Sequence, residues 1–135
     1  LMSLAQGVVH WRPPPAALAA VASAATEEGS ISSYCEDDGI PELRSALTSK
    51  LREENGLEGV EVMVTTGANQ AYVNVVLTLV DAGETVVLFE PFYFNHMMAL
   101  QMTGSSETVL PGRTTPDLLP DLAWLEKRLS ATDQP

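Results

Sequence analysis

Three short apolar runs, EVMVT at 61–65, TVVLFE at 85–90 and ETVLP at 107–111, are separated by stretches that can each hold one helix. This rhythm constrains the chain more than any other feature. Parallel strands need a crossover of about a dozen residues or more, and that crossover is right-handed. The expectation is therefore an α/β architecture of parallel β-α-β units, with strands apolar enough to be covered on both faces. In an open parallel sheet, ligands gather beyond the carboxyl ends of the strands. Thr65–Asn69 and Glu90–Phe94 occupy those places.

The elements around the runs can be read from their punctuation. Residues 1–15 form an arm ending in Pro13, Pro14 and Pro15, which favour extended backbone, and 16–26 is rich in helix formers. An ordered loop is expected over 27–41. In PELRSALTSKLREENG, Leu43, Ala46, Leu47 and Leu51 share one helical face. Glu42, Arg44, Lys50, Arg52 and Glu53 are expected to face solvent. Pro41 suits a first helical turn and Gly56 a C-terminal cap. Further helices are expected from about 68 to 81, from 92 to 104, and over DLAWLEKRLSA. At 135 residues there is room for one domain, expected to bury roughly two-thirds of its unfolded surface. A three-stranded sheet with open edges, followed by a helix and no further strand, reads as part of a larger domain.

Charge narrows the partners. The formal net charge is -11 and the seven basic residues are scattered, which argues against nucleic acid. Cys35 is the lone cysteine, so an internal disulfide framework is excluded and a cysteine-rich zinc site is disfavoured. His10 and His96 have no metal-ligand partners in the pattern and read as packing or surface residues. No apolar run is long enough to span a membrane, and the opening LMSLAQGVVH does not resemble a secretory signal. The expected location is cytoplasmic.

The corner VTTGANQA, 64–71, is where chemistry is expected. The first N–H groups of a helix are unpaired and lie at the positive end of its dipole. Small residues there leave them open to an anion such as phosphate. A Gly-Ala corner taken alone is more often plain close packing, and Phe92, Tyr93 and Phe94 taken singly are more often core residues than ligand contacts. Together, at adjacent strand ends, they suit a phosphorylated ring compound. A nucleotide-binding domain is disfavoured, because neither G-x-G-x-x-G nor G-x-x-x-x-G-K-[ST] follows the first run.

The ordered landmarks Gln6-Gly7, Tyr34, Gly39-Ile40-Pro41-Glu42-Leu43-Arg44, Gly67-Ala68-Asn69 and Glu90-Pro91-Phe92-Tyr93 resemble the class I/II aminotransferases of fold type I. The plant and algal aromatic-amino-acid enzymes are the most alike. The likeness covers nearly the whole chain and weakens after about residue 112. It implies pyridoxal phosphate as cofactor, amino acid and 2-oxo acid as substrates, and a homodimer in the full-length form. It also implies that 1–33 is an arm with a short helix, and that 34–135 is part of the large cofactor-binding domain. By resemblance Gly67, Ala68 and Asn69 hold the cofactor phosphate and Tyr93 lies against the pyridine ring. Tyr34 would reach the phosphate in the neighbouring subunit's site, although by itself a loop anchor is as good a reading of it. Gly7 and Trp11 fall on the substrate side. Arg44 matches a position that is structural in the family.

One departure matters. Transamination needs a lysine to hold the cofactor and move the proton, and an acidic partner for the pyridine nitrogen. Lys50 and Lys127, the only lysines, match no such motif, so no catalytic residue is assigned. The family places both groups beyond the stretch that matches here. Two readings follow: the N-terminal part of an aminotransferase, inactive alone, or a non-catalytic module that binds pyridoxal phosphate or a full-length subunit.

Overall fold

The computed structural model describes residues 7–27, 29–104 and 108–131. Gln6, Glu107 and the closing 132–135, used above, lie outside them. The elements in chain order are α1 (Pro15–Glu27), a short 3-10 turn (Gly29–Ser32), α2 (Pro41–Asn55), α3 (Gly67–Leu79), β1 (Val86–Phe89), α4 (Phe94–Thr103), β2 (Val109–Gly112) and α5 (Leu122–Leu129). Strands β1 and β2 pair in parallel, Val86 opposite Val109 through Phe89 opposite Gly112. Helix α4 is the crossover between them and packs on α3. The punctuation falls where expected: Pro41 opens α2, and Gly56 and Gly104 cap α2 and α4 in left-handed backbone. Asp121 caps α5 by accepting the Trp124 N–H at 2.9 Å.

The core sits where α3 and α4 meet β1. Val76, Leu88 and Leu100 form its buried cluster, with Tyr72, Val86, Phe92, Met97 and Val109 packed against it. Leu100 is wholly enclosed.

Three expectations need correction. Residues 61–65 form no strand, because no described strand lies alongside to complete a ladder. They are held instead by a loop and a side chain: the Val64 N–H donates to the Asp38 carbonyl at 2.9 Å, and Arg44 Nε donates to the Val62 carbonyl at 2.8 Å. Arg44 accordingly turns inward rather than to solvent. The third correction concerns burial. The accessible surface is 11352 Å², where a compact monomer of this mass exposes about 6,900 Å². That leaves about half of the unfolded surface buried rather than two-thirds. Large apolar side chains are among the exposed residues: Leu43 on α2, Leu77 and Leu79 on α3, and Met98 and Met102 on α4. Among the described residues no helix is long and apolar enough to cross a membrane.

Candidate functional site

The corner before α3 is built by backbone rather than by bulk. Gly67 has φ +81, a conformation other residues adopt at a cost, and nothing lies within 4 Å of where a Cβ would stand. The Thr65 hydroxyl donates to the Gly67 carbonyl at 3.0 Å, and the Gly67 N–H donates to the Thr65 carbonyl at 2.8 Å. The Thr66 N–H is taken by Gln70 Oε1, which reaches back at 2.5 Å.

The decisive detail is what Thr66 does not do. A threonine at an N-cap ordinarily accepts the N–H of the second or third helical residue. Here Thr66 makes no side-chain cap bond, and those two residues are Ala68 and Asn69. Both are exposed, and no described hydrogen bond uses their N–H groups. The first turn of α3 carries no acidic side chain. The helix therefore begins as an open, positively polarised pair of donors with no anion of its own.

Tyr93 is linked to this helix through rings. The His96 imidazole stacks on Tyr72 with centroids 4.2 Å apart and planes at 23°. Tyr93 meets His96 edge to face at 5.9 Å and 88°, and Asn95 Nδ2 donates to the Tyr93 hydroxyl at 2.9 Å. Burial raises the Tyr72 pKa above its ordinary value. Neither Tyr72 nor His96 stands out in the sequence as a site residue. The signal is spacing: Tyr72 falls four residues after Ala68 on one face of α3, and His96 lies in the first turn of α4, three residues after Tyr93, which precedes that helix.

Among the described residues no hydrogen bond or ring contact joins Tyr34, Gly7 or Trp11 to the corner. Tyr34 is fully exposed at 107% and packs on nothing in its own loop, so it does not anchor that loop. Gly7 has no described atom within 4 Å of its Cβ position beyond its chain neighbours, and Trp11 is exposed, with the His10 ring against its own at 5.1 Å. A cleft of about 540 Å³ opens beyond the ends of β1 and β2 between Glu90, Arg113, Asp121 and Trp124. It contains none of the corner residues and mixes acid with base on an open surface.

The family model for aminotransferase class I and II matches residues 1–134. The chain belongs to that family. It is 57% identical to the aromatic aminotransferase ISS1 of Arabidopsis thaliana over 129 residues, which cover 96% of this chain and 32% of that protein. A Thermus thermophilus aspartate aminotransferase mutant superposes with TM-score 0.82 at 29% identity, covering 96% of this chain and 35% of that one. The aromatic aminotransferase of Pyrococcus horikoshii gives 0.72 at 27%, covering 84% and 31%. The chain thus spans about a third of the length of the Arabidopsis relative.

Class I and II aminotransferases depend on pyridoxal phosphate, and the residues present fit its phosphate. Two unspent N–H groups, a glycine that leaves the backbone open, and a first turn free of carboxylates are what such a dianion requires.

Proposed function

We propose that this chain carries the phosphate- and ring-holding half of an aminotransferase that moves an amino group from an aromatic or similar amino acid to a 2-oxo acid. The observation that carries the reading is the uncapped start of α3, where Ala68 and Asn69 keep their N–H groups free. Pyridoxal phosphate, when bound, supplies a carbonyl carbon for amine exchange and a ring that takes up electron density.

The chain's own residues bind and orient. Ala68 and Asn69 donate to the phosphate, and Gly67 keeps the backbone clear for it. Tyr93, half exposed at 53%, presents a ring face to the pyridine and screens it from water. Tyr34, free of its own loop, reaches the neighbouring subunit's phosphate, which requires a homodimer of the full-length protein. Gly7 and Trp11 sit on the arm that faces substrate. In this reading 1–33 is the arm with its helix, and 34–135 belongs to the cofactor domain. The location is cytoplasmic, with no role for nucleic acid or membrane. The likeness to the Arabidopsis enzyme supports aromatic substrates.

The covalent lysine and the acidic partner of the ring nitrogen come from residues outside these 135. Lys50 is engaged on α2 by Glu54 at 3.2 Å and Asn55 at 3.0 Å, and Lys127 lies on α5. The 135 residues by themselves are therefore a non-covalent binder. Titration of the chain with pyridoxal phosphate should give a saturable absorbance change that borohydride does not fix. The full-length protein should fix the cofactor at one lysine and transaminate phenylalanine or tyrosine. A full-length protein that neither binds the cofactor nor transfers the amino group defeats the proposal.

A further inference from the structure

We infer that His96 is a positioning residue: sandwiched between Tyr72 and Tyr93, it sets the place of the Tyr93 ring relative to the start of α3. The inference rests on the reading of Tyr93 and the α3 corner as the cofactor seat.

The argument begins at the core. Tyr72 packs against the buried cluster of Val76, Leu88 and Leu100, so its ring is fixed from below. A long side chain on a helix points back toward the N-terminus and covers the turn before its own Cα. For Tyr72 that turn holds Ala68 and Asn69, the residues with free N–H groups. His96 lies flat on this ring at 4.2 Å. Tyr93 then abuts the imidazole edge to face at 5.9 Å. Two ring contacts therefore connect the core to the aromatic lid, and both pass through His96. The backbone adds a second tie, since the His96 N–H donates to the Tyr93 carbonyl at 2.9 Å. That bond survives any substitution except proline, so side-chain changes at 96 isolate the ring contact. An aromatic pair of this kind has a preferred geometry as well as an attraction. A flat ring at 96 can hold that geometry, whereas an aliphatic one of similar volume cannot.

The test uses the full-length protein, with the apparent cofactor affinity and the visible circular dichroism of bound pyridoxal phosphate as readouts. His96→Leu should weaken pyridoxal phosphate by roughly tenfold and reduce the dichroic band, while His96→Phe should restore both to within about twofold of wild type. Tyr72→Leu should reproduce the loss, and the His96→Leu/Tyr72→Leu double variant should be no worse than either alone, because one relay is broken once. If His96→Leu does not fold, the same comparison stands on His96→Phe against Tyr72→Leu. Wild-type binding with an unchanged band and affinity in His96→Leu overturns the inference and leaves the functional reading intact. So does a His96→Phe variant as impaired as Tyr72→Leu. Failure of the wild-type protein to bind pyridoxal phosphate at all overturns both.

Discussion

The Arg44 guanidinium stands 2.7 Å from the Asp38 carboxylate while its Nε donates to the Val62 carbonyl at 2.8 Å. Glu61 lies at 3.5 Å from the same group. One side chain from α2 thus clamps the loop that follows Tyr34 to the segment leading into the Thr65–Gly67 corner. Arg44→Met should cost about 1.5–3 kcal/mol, the range for a hydrogen bond to a charged group. Arg44→Lys should recover only a minor part, because an ammonium cannot reproduce the planar fork. Urea unfolding of the full-length protein gives the free energies. Hydrogen exchange at the Val64 amide, bound to the Asp38 carbonyl, should quicken in the same order.

Gly39 is the other half of that junction. Its φ is +105, and a Cβ there would come within 2.6 Å of Val64 Cγ2 and 2.8 Å of Val64 Cβ. The obstructing atoms belong to a branched side chain with little room to swing, so the neighbour cannot yield cheaply. Gly39→Ala should destabilise the protein by about 2–3 kcal/mol, combining overpacking with a strained backbone. A thermal shift of that size, relieved by adding Val64→Ala, would identify the clash. A Gly39→Ala protein as stable as wild type would mean the loop does not approach Val64.

These contacts mark where the sequence could and could not be read. Local signals were legible: Pro41, Gly56 and Gly104 begin or end helices through their own backbone chemistry, which needs no distant partner. The β1–α4–β2 crossover was legible for the same reason, since both strands and the helix joining them lie within about 27 residues, near the usual length of such a unit. The segment 61–65 was misread because a strand is a relation between two segments, and apolar alternation names only one of them. Arg44 was misread because helical periodicity assigns it a polar face without saying what carbonyl or carboxylate that face meets. That a helix opens at the small residues Gly67 and Ala68 was legible from the sequence. That Thr66 leaves Ala68 and Asn69 uncapped is a side-chain geometry no spacing rule contains.

Charge at the corner separates helix stability from anion binding. An acidic side chain in the first turn of a helix is stabilising by about 0.3–1 kcal/mol through the dipole, and α3 has none. Ala68→Asp should therefore raise the melting temperature slightly. The same carboxylate would face the incoming phosphate, so pyridoxal phosphate affinity should fall at least tenfold. Opposite signs from one substitution are hard to produce by general misfolding. Thermal melts and cofactor titrations on one preparation would check both. Equal affinity in wild type and variant would remove the α3 corner from the site.

Tyr72 gives a pH dependence whose sign follows from burial. Desolvation holds its pKa above the ordinary 10.0, so the native state keeps the phenol proton at pH values where the unfolded chain has begun to lose it. The stabilisation is complete below about pH 10 and is lost as pH rises through the higher native value, because the unfolded state then gains from ionising first. Stability should decline more steeply above pH 10 in wild type than in Tyr72→Phe, which has no proton to release at that ring. Urea midpoints measured from pH 8 to 11 give the two slopes. Since His96 rests on this ring, the cofactor affinity of wild type should weaken over the same alkaline range, with the Tyr72→Phe curve staying flatter. Parallel curves for the two proteins would show that the phenol is as solvated when folded as when unfolded.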